Sequence, residues 1–228
     1  MTNQIDTSRH DLFFNHQALE GVVDIIGVGA VGSKVAMEVA KLGVTKIRLW
    51  DGDEVESHNI ANQAFYLSDI GKPKVVAMQE HIKSATGMEV EAHNEYITET
   101  TDLCRVVFLC VDTMSGRKEI FEKCLKNNFL TDIVIEVRMG AEELRVYGFN
   151  PCKRQDIINW ESTLVDDEMT VESACGSKTT VGATASMTSA FAVTRFMQWF
   201  NWTNGSQDGV SPKFEQVVML RPLMTISN

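Results

Sequence analysis

The sequence predicts an α/β fold, a doubly wound and mostly parallel sheet with late antiparallel strands. Three observations predict it. Short apolar runs that stop at a glycine or an acid alternate with stretches of helical spacing. The first run opens into Gly27-Val28-Gly29-Ala30-Val31-Gly32, a G-x-G-x-x-G loop between strand and helix. The second run ends on Asp51, about 20 residues further on, where such sheets place an acid.

Each element can be justified in turn. Residues 1–20 carry little pattern and read as an N-terminal arm. VVDIIGVG is a buried strand stopped by glycine, and SKVAMEVAKLG is a helix closed by Gly43 as a C-terminal cap. TKIRLWD is a second strand. SDIGKPKVVAMQEHIKSATG holds a turn and then a helix, and MEVEAHNEYIT alternates as a strand. CRVVFLCVD has the unbroken apolar character of a buried parallel strand. SGRKEIFEKCLKNN is a helix, and IVIEVRMG pairs with ELRVYGFN as a hairpin. Residues 151–175 break the rhythm, being polar, acidic and without period, so a crossover loop is set at 151–180. TTVGATASMTSAFAVTRFMQWFNW is a long helix rich in small residues, buried against the sheet or a partner subunit. VSPKFEQVVMLRPLMTIS supplies one or two late strands.

Composition narrows the function classes. With 228 residues and 44% hydrophobic side chains, the chain suits one domain, 1–228, with a sizeable core. A net charge of −10 argues against non-specific binding to nucleic acid or to an anionic membrane. No apolar run reaches the roughly 20 residues of a membrane span, and the first residues lack a signal-peptide layout, so a cytoplasmic location is expected. The five cysteines, at 104, 110, 124, 152 and 175, form no CxxC pair, which argues against a structural zinc site. Cys104, Cys110 and Cys124 fall in apolar patterns and read as core thiols.

The glycine loop points to a nucleotide. Gly27 permits the tight turn, Gly29 lets backbone approach a phosphate or ribose, and Gly32 lets helix and strand pack. The helix start adds N–H donors and partial positive charge. Asp51 is placed to accept hydrogen bonds from ribose hydroxyls. These features make a Rossmann-like sheet, and alone they favour an NAD-dependent oxidoreductase. A bare strand-to-helix turn also satisfies the glycines.

The residues that follow are more specific. Asp51-Gly52-Asp53-Glu54-Val55 leads to His58-Asn59-Ile60-Ala61-Asn62-Gln63, and then to Gly71-Lys72-Pro73-Lys74. This order resembles the ThiF/MoeB branch of the ubiquitin-activating-enzyme superfamily, in which a D-x-D-x-V strand end precedes S-N-L-N-R-Q and G-x-x-K. The resemblance covers about residues 20–140 and extends more weakly to about residue 200. It implies adenylylation, in which ATP and a carboxylate give an acyl adenylate and pyrophosphate. The expected cofactors are ATP and Mg²⁺. The expected partner is a small carrier protein or peptide with a C-terminal glycine, and a homodimer is implied, with no nucleic acid or membrane involved.

Motif position then assigns roles. The resemblance implies that Asp51 binds the ribose, that Asn59, Asn62 and Gln63 line the phosphate site, and that Lys74 contacts the phosphates. Asp53 is placed with the nucleotide-binding residues, although with Glu54 it also reads as a solvated turn. Asp112 corresponds to the family's Mg²⁺-binding acid, or else caps the next helix. Lys74 has its own plain alternative, a solvated first-turn lysine.

One departure is Asn62, which stands where the family carries a phosphate-binding arginine. Arg9 is the expected substitute, inserted from an N-terminal arm that family members often lend to a partner subunit, and Arg138 is second. Cys175, in a polar glycine-flanked loop, is the implied acyl acceptor, activated by Lys178 or a helix start, with Cys152 as runner-up. A catalytically degenerate nucleotide-binding scaffold and an enzyme that activates a tRNA base carboxylate complete the alternatives.

Overall fold

The computed structural model describes residues 5–165, 181–205 and 211–228. Its strands are β1 (Val23–Ile26), β2 (Ile47–Trp50), β3 (Glu91–His93), β4 (Arg105–Leu109), β5 (Thr131–Met139), β6 (Glu143–Phe149), β7 (Glu215–Leu220) and β8 (Leu223–Ser227). They form one eight-stranded sheet in the order β3-β2-β1-β4-β5-β6-β7-β8. The pairs from β3 to β5 are parallel, and those from β5 to β8 are antiparallel. The expected parallel sheet with late antiparallel strands is thus observed.

Alternation along the strands builds two cores. Val23 and Ile25 of β1, Val106 and Phe108 of β4, and Ile133, Ile135 and Val137 of β5 face one side. There they meet α1 (Gly32–Lys41), α2 (Lys74–Thr86) and α5 (Gly182–Thr203) through Val35, Val39, Met78, Ile82, Ala192 and Phe196. Ile26, Val107, Leu109 and Val134 face the other side, against Phe121, Leu125, Ile157 and Trp160. These come from α3 (Met114–Ile120), the π turn Phe121–Leu125 that continues it, and α4 (Arg154–Glu161). Helix α5 is therefore core, and the long small-residue stretch is explained by its close seat on α1 and the sheet.

Two expectations change. The crossover loop set at 151–180 contains α4: Ile157 and Trp160, three apart, bury one helix face, and Asp156 accepts the Asn150 N–H at 2.9 Å. Its polar and acidic residues are the solvent side of an amphipathic helix. The strand expected over 88–98 is paired only at Glu91–His93, at the sheet edge.

Buried charge also shapes the sheet. Asp24 is fully buried in the middle of β1 and is satisfied by four donors. Arg48 reaches both of its oxygens at 2.7 Å, Trp50 Nε1 donates at 2.9 Å and the Cys104 N–H at 2.9 Å. No helix among the described residues is long and apolar enough to cross a membrane.

Candidate functional site

A cleft of about 1240 Å³ opens at the carboxyl ends of β1, β2, β4 and β5, where sheets of this winding bind ligands. The glycine loop forms one wall, and its three glycines differ. Gly27 has φ +84, and a Cβ there would stand 2.9 Å from the Cys110 carbonyl oxygen. A Cβ on Gly32 would lie 1.8 Å from the Gly27 carbonyl oxygen. Packing alone demands both. A Cβ on Gly29 meets nothing within 4 Å among the described residues, so its bareness serves the cleft and not the packing of the loop.

Asp51 sits at the end of β2, buried beside this loop. Its Oδ2 accepts the Val28 N–H at 2.7 Å, and its Oδ1 accepts the Asp53 N–H at 2.9 Å. Each oxygen keeps a further lone pair for a hydroxyl donor. Burial pushes the Asp51 carboxyl above the usual range, against the pull of Lys74 and the two N–H groups.

Lys74 opens α2 after Pro73 and is only 7% exposed. Its Nζ lies 2.7 Å from Asp53 Oδ2. A solvated first-turn lysine is excluded, because the side chain runs into the cleft wall. Asp53 is no free turn residue either. Its Oδ1 accepts the Tyr96 hydroxyl at 2.5 Å. Partial burial opposes ionisation of Asp53, yet Lys74 and Tyr96 hold its carboxyl below the usual range.

The loop after β2 brings Asn59, Asn62 and Gln63 to the same cleft. Asn59 is buried, and its Oδ1 accepts the Glu56 N–H at 2.8 Å, so much of its work is local. The buried Gln63 Oε1 has no hydrogen-bond partner among the described residues, which leaves one end of the amide for a ligand. Asp112 lines the opposite wall past β4. The Thr113 side chain caps α3 by accepting the Gly116 N–H at 3.2 Å, one residue after Asp112.

The expected substitute cations are not brought into play. Arg9 is exposed and is not among the residues lining the cleft. Its arm is pinned at the far end of α1, where His10 Nε2 meets the Leu42 carbonyl at 3.4 Å. Asn201 Nδ2 donates to the Phe13 carbonyl at 2.9 Å, and Phe14 packs on Phe200. The 10-residue α1 spans about 15 Å, so Arg9 does not enter the cleft of its own chain. Arg138 lines the cleft but is committed elsewhere. Its Nε meets Glu136 at 2.9 Å, its Nη atoms donate to Thr163 at 2.8 and 2.9 Å, and it stacks over Tyr147. Glu136 is fully buried in β5 and also takes Arg117 Nε at 2.7 Å. An acid within the apolar run IVIEV was the sequence signal that buried cations were required. Arg117 and Tyr96 were both missed in the sequence.

Cys175 and Lys178 lie outside the described residues. Of the described flanks, Val165 lines the cleft, and Gly182 lies against the loop after β2, where its Cβ would meet the Ala61 carbonyl oxygen at 3.0 Å. Among the described cysteines, burial pushes Cys110 up to about 12 and raises Cys124 and Cys152. Those three are thus not activated thiols. Among the described residues no group of three His, Cys, Asp or Glu is placed to hold a metal ion.

Comparison with known proteins agrees with this geometry. Residues 15–216 match the model of the ThiF family. The chain is 34% identical over 146 residues to the tRNA threonylcarbamoyladenosine dehydratase of Bacillus subtilis (strain 168), covering 59% of this chain and 56% of the relative. It is 29% identical over 117 residues to the sulfur carrier protein ThiS adenylyltransferase of Escherichia coli (strain K12), covering 48% and 47%. It is 31% identical over 125 residues to ubiquitin-like modifier-activating enzyme 5 of Dictyostelium discoideum, covering 46% and 32%. The chain thus spans about half the length of the first two and a third of the last. Among solved structures, E. coli MccB with ATP superposes with a TM-score of 0.70 at 13% identity, covering 100% of this chain and 72% of that one. MccB with AMPCPP and MccA gives 0.67 at 15% identity, covering 92% and 63%. These structures share the fold. The match across most of its length shows that the chain is a member of the ThiF family.

Proposed function

We propose that this chain uses ATP to adenylylate a carboxylate, the C-terminus of a small carrier protein or peptide. The observation that carries the reading is Lys74, a nearly buried ammonium in the wall of a cleft that also presents the bare backbone of Gly29. A nicotinamide site has no need of a buried cation there. Transfer at an α-phosphate does, because charge builds on the phosphate and on departing pyrophosphate.

In the step itself, a carboxylate oxygen bonds to the α-phosphorus while the bond to the pyrophosphate oxygen breaks. Lys74 neutralises the phosphate charge. Asp51 accepts the ribose hydroxyls through its remaining lone pairs. The residues also fit Mg²⁺, which keeps several waters, takes substrate phosphate oxygens and needs only one or two protein carboxylates. Asp112 is the carboxylate we assign to it, and the ion would supply charge neutralisation on the phosphates.

Asn62 brings no charge, and Arg9 does not reach the cleft of its own chain. The reading therefore assigns Arg9 to the cleft of a second subunit, in a homodimer. Cys175 is the proposed acyl acceptor after adenylylation. Relatives support the substrate class: one is a sulfur carrier protein ThiS adenylyltransferase, and MccB was solved with MccA.

A second reading is favoured by the likeness to the tRNA threonylcarbamoyladenosine dehydratase, namely activation of a carboxylate on tRNA. ATP–pyrophosphate exchange separates the two. Exchange that depends on glycine-tailed carriers or peptides, and is lost in Lys74→Ala, supports the first reading. Turnover of ATP that depends on tRNA and ignores every carrier replaces it with the second. A Cys175→Ala variant that exchanges normally but forms no hydroxylamine-labile conjugate places the cysteine after the adenylate.

A further inference from the structure

Tyr96 lies on the segment after β3 and is 67% exposed, so the core does not require it. Its hydroxyl nevertheless donates to Asp53 Oδ1 at 2.5 Å, while Oδ2 of the same carboxylate takes Lys74 Nζ at 2.7 Å. Its ring lies on Gly52: a Cβ there would stand 2.9 Å from Tyr96 Cε2. The ring also lines the nucleotide cleft. Tyr96, Asp53 and Lys74 thus form one chain of contacts across the D-x-D strand end.

We propose that Tyr96 is a positioning residue for nucleotide binding, fixing Asp53 so that Asp53 aims Lys74 at the phosphates. The inference rests on the ATP-dependent reading above. A carboxylate held only by a lysine would follow the ammonium when it turns toward a phosphate. Anchored on its other oxygen by a charge-assisted hydrogen bond, Asp53 stays in place and Lys74 pivots about it. The tyrosine also spreads the carboxylate charge, which loosens the ion pair that a phosphate must share. The hydrogen bond to Asp53 and that carboxylate's charge push Tyr96 up to about 12, so the hydroxyl stays a donor across the working pH range.

Equilibrium binding of Mg·ATP to the full chain tests this through a double-mutant cycle. Tyr96→Phe keeps the ring on Gly52 and removes only the hydroxyl. It should weaken Mg·ATP about ten-fold, the low end of the effect of one hydrogen bond to a charged group. In an Asp53→Asn background the same change should do nothing further. The acid limb of binding should also move to higher pH in Tyr96→Phe. Asp53 then loses a donor, and the charged groups left facing it are Lys74 from α2 and Asp51 from β2. A purely structural tyrosine would not move that limb. In ligand-free protein, spectrophotometric titration of the three tyrosines should show one high phenol falling toward about 10 in Asp53→Asn. Unchanged binding in Tyr96→Phe, or an equal loss in both backgrounds, overturns the proposal. Wild-type protein that binds no Mg·ATP overturns the function reading with it, a result distinct from a bound nucleotide that ignores Tyr96.

Discussion

The two halves of the cleft are both rich in charge, but they use it in opposite ways. On the β1–β2 side, Asp51, Asp53 and Lys74 pair around a space, and Gly29 keeps that space open. On the β5–β6 side, Glu136 consumes Arg117 and Arg138, and Arg145 is paired with Glu143 at 2.6 Å and Glu215 at 3.4 Å. The first set is arranged for a ligand and the second holds the sheet to α3 and to the end of α4. An arginine near a strand end is therefore not a phosphate ligand until its partners have been counted.

Substitutions can break this comparison, starting from the largest effect. Glu136→Ala removes the carboxylate shared by the buried Arg117 and the half-buried Arg138 and should cost about 3–5 kcal/mol of stability, read from the denaturant midpoint. Lys74→Ala should cost about 10²-fold in ATP–pyrophosphate exchange with a far smaller stability change. If Lys74→Ala unfolds the chain instead, the functional half is also structural and the contrast fails. Within the glycine loop, Gly32→Ala forces a Cβ against the Gly27 carbonyl and should destabilise by about 1–3 kcal/mol. Gly29→Ala should stay within about 0.5 kcal/mol of wild type and yet weaken nucleotide binding.

The smallest effect is on pH dependence. The Asp53 carboxyl lies below its unfolded value of about 3.9, so folding favours its ionised form. That contribution is complete above about pH 4 and is lost as pH falls through the lowered folded value. Asp53→Asn should remove this acid-side loss while leaving the neutral-pH curve parallel to wild type.

Local rules made the first half legible in the sequence. Glycine spacing, an acid at a strand end and a lysine after G-x-x each depend on a few neighbouring residues, and Gly27, Gly29, Gly32, Asp51, Asn59, Asn62, Gln63, Lys74 and Asp112 all line or build the cleft. The rest depended on distant pairing. The Tyr96 contact joins residues 43 apart in sequence, and the Arg117–Glu136–Arg138–Thr163 set joins α3, β5 and the turn after α4. Helix α4 was hidden because only two of its eight residues, Ile157 and Trp160, are buried, and Trp160 seats it on Phe121 and Phe149. Arg9 was read from its place in a motif, and the fold of one chain sets it at the other end of α1.

The most direct test is equilibrium binding of Mg·ATP and of NAD⁺ to wild type, Lys74→Ala and Arg138→Ala in parallel. The account predicts that wild type and any folded Arg138→Ala protein bind Mg·ATP, that Lys74→Ala binds it about 10²-fold more weakly, and that NAD⁺ is ignored. Tight NAD⁺ binding, with ATP affinity indifferent to Lys74, would contradict it.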